Sequence, residues 1–114
     1  MNKDCIFCKI AHRQVAAKIV LENDRVMAFD DISPKAPVHV VVIPKDHHEN
    51  VMEVLEGSAI YPPIFDAVRE VARVKGLVEK GFRVINNCGA DGGQTVGHLH
   101  FHIMGGRGMK WPPG

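Results

Sequence analysis

Residues 98–102 read His-Leu-His-Phe-His, and Ile103 and Met104 follow. In extended backbone, successive side chains point to opposite faces with period two. His98, His100 and His102 then share one face, about 6.5–7 Å apart along the strand. Leu99, Phe101 and Ile103 share the other face. That apolar underside commits the strand to a sheet with a core beneath it. The upper face carries three of the seven histidines in the chain. Near neutral pH an imidazole can be nucleophile, general acid or base, phosphate-binding cation or metal ligand. One strand, predicted over about 98–104, thus carries both a core face and a chemical face.

The rest of the chain supplies partners for it. Val38–Ile43 is the clearest second strand, Val-His-Val-Val-Val-Ile, rich in β-branched residues, and Pro44 ends it. Lys18–Glu22 and Arg25–Asp30 read as strands around an Asn23-Asp24 turn. Phe82–Asn86 is a further strand. Ser33-Pro34-Lys35-Ala36-Pro37 cannot be a central strand, because proline removes ladder donors. Helices are predicted over 4–12, where Ile6, Phe7 and Ile10 come to one side, and over 49–56. A longer helix starts at Pro62 and Pro63, runs with Ile64, Ala67, Val68, Val71, Ala72 and Val74 at helical spacing, and ends at Gly76. The tail from Gly105 to Gly114 reads as extended. Strands, then helices, then strands fit an antiparallel α+β domain better than a parallel sheet. Helices on one sheet face would leave the other open for a site.

Composition narrows the function classes. The 114 residues make a single domain, 1–114, large enough for one core without disulfide staples. A net charge of +1 gives no electrostatic footprint for nucleic acid or a membrane surface. No apolar run approaches the length of a membrane span. The opening Met-Asn-Lys-Asp-Cys lacks the apolar stretch of a signal peptide, which predicts a cytoplasmic location. Three cysteines include Cys5-x-x-Cys8, a spacing that in the cytosol suggests metal or redox chemistry rather than a structural disulfide.

Two chemistries compete for the histidine face. His-x-His on a strand is a familiar donor pair for zinc. A neutral imidazole can equally attack phosphorus while its neighbours neutralise the equatorial oxygens. A solvated histidine strand with no role is the bland third possibility. The preceding loop, Gly89-Ala90-Asp91-Gly92-Gly93-Gln94-Thr95, has glycines that let backbone N–H groups approach an anion, yet it would also serve as a plain hairpin connection. His39, inside the Val-rich strand, reads first as a hydrogen-bonded core residue, and it can at the same time hold another histidine in one tautomer. Asp30 and Asp31 could cap the Pro34 turn, or one could accept from a ribose diol.

Taken together, these segments resemble the histidine triad family. His98-Leu-His100-Phe-His102-Ile-Met is similar to its signature, and Cys5-Ile-Phe-Cys8-Lys-Ile to its N-terminal segment. Ala28-Phe-Asp-Asp-Ile-Ser-Pro-Lys-Ala-Pro37 resembles its nucleoside-side loop. His39-Val-Val-Val-Ile-Pro-Lys45 resembles its central strand, and Asp91-Gly-Gly-Gln-Thr-Val96 the loop before the triad. The ending Trp111-Pro-Pro-Gly114 is similar to the Hint branch, the purine nucleoside phosphoramidases.

The resemblance implies a five-stranded antiparallel sheet with helices, and a homodimer whose sheets join. It implies hydrolysis of a bond from the α-phosphate of a purine nucleoside 5′-monophosphate to an amine. His100 matches the nucleophile, His102 its phosphate-contacting neighbour, and His98 and His39 the orienting histidines. Asn87, Gly93 and Thr95 match phosphate-side residues, with Thr95 near the leaving group. Asp31 matches the ribose-binding acid. Ile6, Phe7, Ile10, Phe29, Ile32 and Val41 match apolar walls of the purine pocket. The resemblance also implies a structural zinc held by Cys5, Cys8, His47 and His98, with His48 an adjacent competitor for the third place, and no cofactor for catalysis. Related triads in dinucleoside polyphosphate hydrolases, and nucleotide-binding adaptors with little turnover, are the alternatives. The transferase branch replaces the last triad histidine, which His102 disfavours. Cys88 departs from the polar residue expected beside Asn87.

Overall fold

The structure, a computed structural model, describes residues 2–114. Five antiparallel strands form one sheet in the order β1-β2-β3-β5-β4. They are β1 (Ile19–Glu22), β2 (Val26–Asp30), β3 (Val38–Pro44), β4 (Phe82–Ile85) and β5 (Phe101–Gly105). The β-branched run of β3 takes the central place, where neighbours on both sides bury it.

Register carries the alternation read from the sequence across the sheet. Val42 lies opposite Ala28 on one side and Phe101 on the other, and Val40 opposite Ile103. These residues pack with helix α2 (Tyr61–Val74), whose Ile64, Ala67, Val68, Val71 and Ala72 are buried against the sheet. Leu99 belongs to the same core. Val41 lies opposite Phe29 and His102, so the other face carries Phe29, Val41 and the histidines.

Pro62 and Pro63 occupy the first turn of α2, where absent N–H groups cost nothing. The helix stops in a Schellman arrangement. Gly76, at φ 69°, donates to the Arg73 carbonyl, and Leu77 donates to that of Ala72. Leu77 then drops into the core.

Three expectations need correction. The regular strand begins at Phe101, not at 98. Ahead of it the backbone finds partners outside the ladder: Leu99 N–H donates to the His48 carbonyl, and the Asn86 side-chain amide donates to the His100 carbonyl. The expected 49–56 helix is only a three-residue 3₁₀ turn, Val51–Glu53, capped by the Asn50 side chain, although Val51 and Val54 do pack against the core. The histidine face is not left open either. Helix α1 (Ile6–Ala11) lies over part of it, with Ile10 and Ala11 buried against Met27, Phe29, Val41 and Ile43. No helix of the described residues is long and apolar enough to cross a membrane.

Candidate functional site

Between α1, the sheet face and the Asp31–Pro37 loop runs a groove of about 1020 Å³. Ile6, Phe7, Ile10, Phe29 and Val41 give it apolar walls, and the fully exposed Ile32 stands at its rim. Asp31, His39, Thr95, His100 and His102 supply its polar groups. Most of the predicted site residues are therefore brought together. Asn87 and Gly93 are not among the groove's lining. Asn87 instead donates to the Gly92 carbonyl at 2.6 Å, bracing the glycine loop from within.

Hydrogen bonds assign the proton on each ring. His100 Nδ1 lies 2.7 Å from the His98 carbonyl, which can only accept, so Nδ1 carries the hydrogen. Its Nε2 keeps a free lone pair. His39 Nδ1 accepts from the Lys35 backbone N–H at 3.0 Å, so its Nε2 carries the hydrogen. That Nε2 lies 2.9 Å from His102 Nδ1 and 3.4 Å from the Asp31 carboxylate. The shorter contact makes His102 Nδ1 an acceptor and leaves His102 Nε2 as a donor. Asp31 meanwhile accepts from the Ser33 N–H at 2.8 Å, the turn-capping role. His39 thus holds another histidine in one tautomer, as one reading of its position anticipated.

The rings stack edge to face. His100 and His102 centroids are 5.0 Å apart, and Phe7 stands over His100 at 5.1 Å. Burial in this apolar setting disfavours added charge. It pushes the His102 imidazolium down to about 4, helped by the neighbouring rings of His100 and His39. Burial also lowers His100 and His39, against the opposing pull of Asp31. A row of neutral imidazoles at pH 7 results, which nucleophilic attack requires.

A second constellation lies at the opposite end of the triad. The donor atoms of Cys5, Cys8, His47 and His98 all fall within 4.8 Å of one another. Cys5 Sγ is 3.3 Å from His98 Nδ1, Cys8 Sγ 3.5 Å from the same atom, and Cys8 Sγ 3.2 Å from His47 Nδ1. Sulfur and nitrogen ligands of a tetrahedral zinc lie about 3.5 Å apart. Both rings turn Nδ1 inward because Nε2 is engaged behind it: His98 Nε2 donates to the Pro44 carbonyl at 2.8 Å, and His47 Nε2 lies 3.0 Å from Glu49 Oε1. Ligand histidines are oriented by such outer partners. The residues fit zinc. His48 is not in the set; its carbonyl holds Leu99 instead. Asp31, His39 and His102 also cluster, but the Lys35 amide leaves the proton on His39 Nε2, so these three form a hydrogen-bonded chain.

Sequence reasoning missed several supporting groups: Glu49 behind His47, the Lys35 amide behind His39, and Asn86 against the His100 carbonyl. Glu49 and the Lys35 amide lie only two and four residues from the rings they hold, and Asn86 fourteen from His100. Residue type alone does not show that a turn will aim them there, and a backbone amide leaves no mark in residue identity. The paired Asn86-Asn87 at a strand end was the one available signal.

The HIT domain family model matches residues 12–109. An uncharacterised HIT-like protein of Synechococcus elongatus is 46% identical over 115 residues, covering all of both chains. A 14 kDa zinc-binding protein of Brassica juncea is 39% identical, covering 97% of this chain and all of its own. A crystal structure of a HIT family hydrolase from Legionella pneumophila superposes with a TM-score of 0.94 at 41% identity, covering 97% of this chain and 100% of that one.

Proposed function

This chain belongs to the HIT domain family, and from that premise we propose that it is a nucleotide hydrolase of the phosphoramidase type. It cleaves the bond between the α-phosphate of a purine nucleoside 5′-monophosphate and an amine. The observation that carries this reading is the free imidazole lone pair that His100 brings to the groove. His100 Nε2 has it because Nδ1–H is committed to the His98 carbonyl at 2.7 Å.

In the reaction His100 Nε2 attacks the α-phosphorus, forming a P–N bond to the ring as the bond to the leaving amine breaks. An amine anion is too basic to leave, so a proton must reach it. Thr95, which lines the groove, relays that proton to the amine from solvent water. His102 Nε2–H faces the equatorial oxygens as their charge develops, held in that tautomer by His39. Water then attacks the nucleotidyl-His100, the P–Nε2 bond breaks, and the monophosphate leaves. Asp31 takes the ribose hydroxyls, and Ile6, Phe7, Ile10, Phe29, Ile32 and Val41 enclose the purine. Asn87 and Gly93 serve by shaping the loop.

Cys5, Cys8, His47 and His98 would hold a zinc ion with four protein ligands, and the ion would supply a cross-link rather than chemistry. The zinc-binding relative supports this reading. The protein works as a homodimer; Phe82 and Val84, each 38% exposed on the sheet-edge strand β4, support a partner there. Sedimentation or light scattering tests it.

Side-by-side assay of a purine nucleoside phosphoramidate, a dinucleoside polyphosphate and a monophosphate ester tests the activity. Fastest turnover is expected for the phosphoramidate. His100→Gly should lose turnover and keep monophosphate binding. Full activity in that variant would sink the assignment, and binding without turnover of any substrate in the wild type would mark an adaptor.

A further inference from the structure

Residues 47–49 touch both constellations. The His47 side chain belongs to the metal set. The His48 carbonyl accepts from Leu99 N–H at 2.6 Å, between His98 and His100. Glu49 works twice. Its carboxylate receives His47 Nε2 at 3.0 Å. Its backbone carbonyl accepts from Gln94 Nε2 at 2.7 Å.

Gln94 is the hub of the glycine loop. The same Nε2 donates to the Val96 carbonyl at 2.9 Å, and its Oε1 accepts from Gly89 N–H at 3.0 Å. Its own N–H donates to the Gly89 carbonyl at 3.1 Å. Thr95 follows directly and lines the groove. A hollow of about 330 Å³ lies between, lined by Cys5, His47, Glu49, Thr95 and Gly97 among others. A Cβ on Gly97 would stand 2.8 Å from Glu49 Oε2, so any side chain there would push the Glu49 carboxylate aside.

We propose that Glu49 and Gln94 form a strut that couples metal occupancy to the loop carrying Thr95. Glu49 is a positioning residue. Its carboxylate fixes the ring whose Nδ1 faces the metal, and its carbonyl anchors the side chain that closes the loop. When the metal leaves, His47 keeps only the Glu49 contact at Nε2 to hold its orientation, that contact weakens, and the Gln94 contacts slacken with it. Metal occupancy then regulates the leaving-group side of the groove while the apolar walls stay formed. The inference rests on the zinc reading above.

The test uses the full, zinc-loaded chain and reads zinc release to a chromogenic chelator together with amide hydrogen exchange. Glu49→Ala should weaken zinc binding by about 10–100-fold, the usual cost of losing an outer partner of a ligand. Glu49→Gln keeps an acceptor oxygen and should recover most of that loss. Gln94→Ala touches no ligand, yet should speed zinc release by about threefold or more. Removing zinc from the wild type should speed exchange at the Gly89 and Gln94 amides and leave that of Val68 and Val71 in α2 unchanged. Zinc release from Gln94→Ala at the wild-type rate would overturn the strut, as would loop exchange indifferent to zinc. A wild-type chain holding less than about a tenth of a zinc would overturn it too. None of these readouts uses turnover, so failure of the hydrolase reading would show separately in the substrate assay.

Discussion

Acid should weaken this fold through His102, and His102→Gln isolates the effect. Burial, with the rings of His100 and His39 alongside, brings the folded-state pKa of His102 to about 4, against about 6.5 for a histidine in the unfolded chain. Between those values the unfolded chain binds a proton that the folded chain refuses. Stability from the neutral ring is complete above about pH 6.5 and falls as pH drops toward 4. The steepest slope is about 1.4 kcal/mol per pH unit, and the whole interval corresponds to at most about 3.4 kcal/mol. His102 is only half-buried, so solvent screening reduces this to about 1.5–3 kcal/mol. Urea unfolding at pH 7, 6, 5 and 4.5, on wild type and His102→Gln, measures it. Zinc loss in acid affects both chains and cancels in the difference. The variant should show the shallower pH dependence, by that amount. Parallel lines for the two proteins would refute the burial argument for this ring.

Cys8→Ser should lower bound zinc from about one per chain to under a tenth and reduce the melting temperature, both measurable on material purified without chelator. Ile64→Ala removes a fully buried side chain of α2 and should cost about 2–5 kcal/mol in urea unfolding without changing ring stacking at the triad. Gly92→Ala places a Cβ 2.4 Å from the Cys88 carbonyl oxygen, a backbone atom. It should cost about 1–3 kcal/mol and shift the amide resonances of residues 88–95.

The histidine signature disclosed more than chemistry. Because Leu99, Phe101 and Ile103 are apolar and the histidines between them are not, alternation assigns both sheet faces without reference to any partner strand, and α2 covers the apolar one. In β3 the same alternation sends Val40 and Val42 to the α2 side and Val41 and Ile43 to the other. Alternation could not say where the ladder begins. His98 and His100 alternate as a strand would, but their backbone is held by His48 and Asn86. Helix α1 was legible as a helix but not as a lid on the histidine face, since its burial depends on where the chain folds back. The grouping of Cys5 and Cys8 with His47 and His98 came from family likeness. Glu49, which orients His47, lies only two residues from it, but that spacing does not by itself say which ring atom the carboxylate meets.

Three of the four imidazoles in and around the groove take their orientation from main-chain atoms: His39 from the Lys35 amide, His98 from the Pro44 carbonyl, and His100 from the His98 carbonyl. His102 inherits its state from His39. Apart from His39, no neighbouring side chain has to be a particular residue for the proton pattern to persist. Substitutions can therefore accumulate widely around the groove, altering what it admits, while the proton pattern survives as long as the backbone path does. Substrate range and catalytic competence are free to evolve on separate tracks.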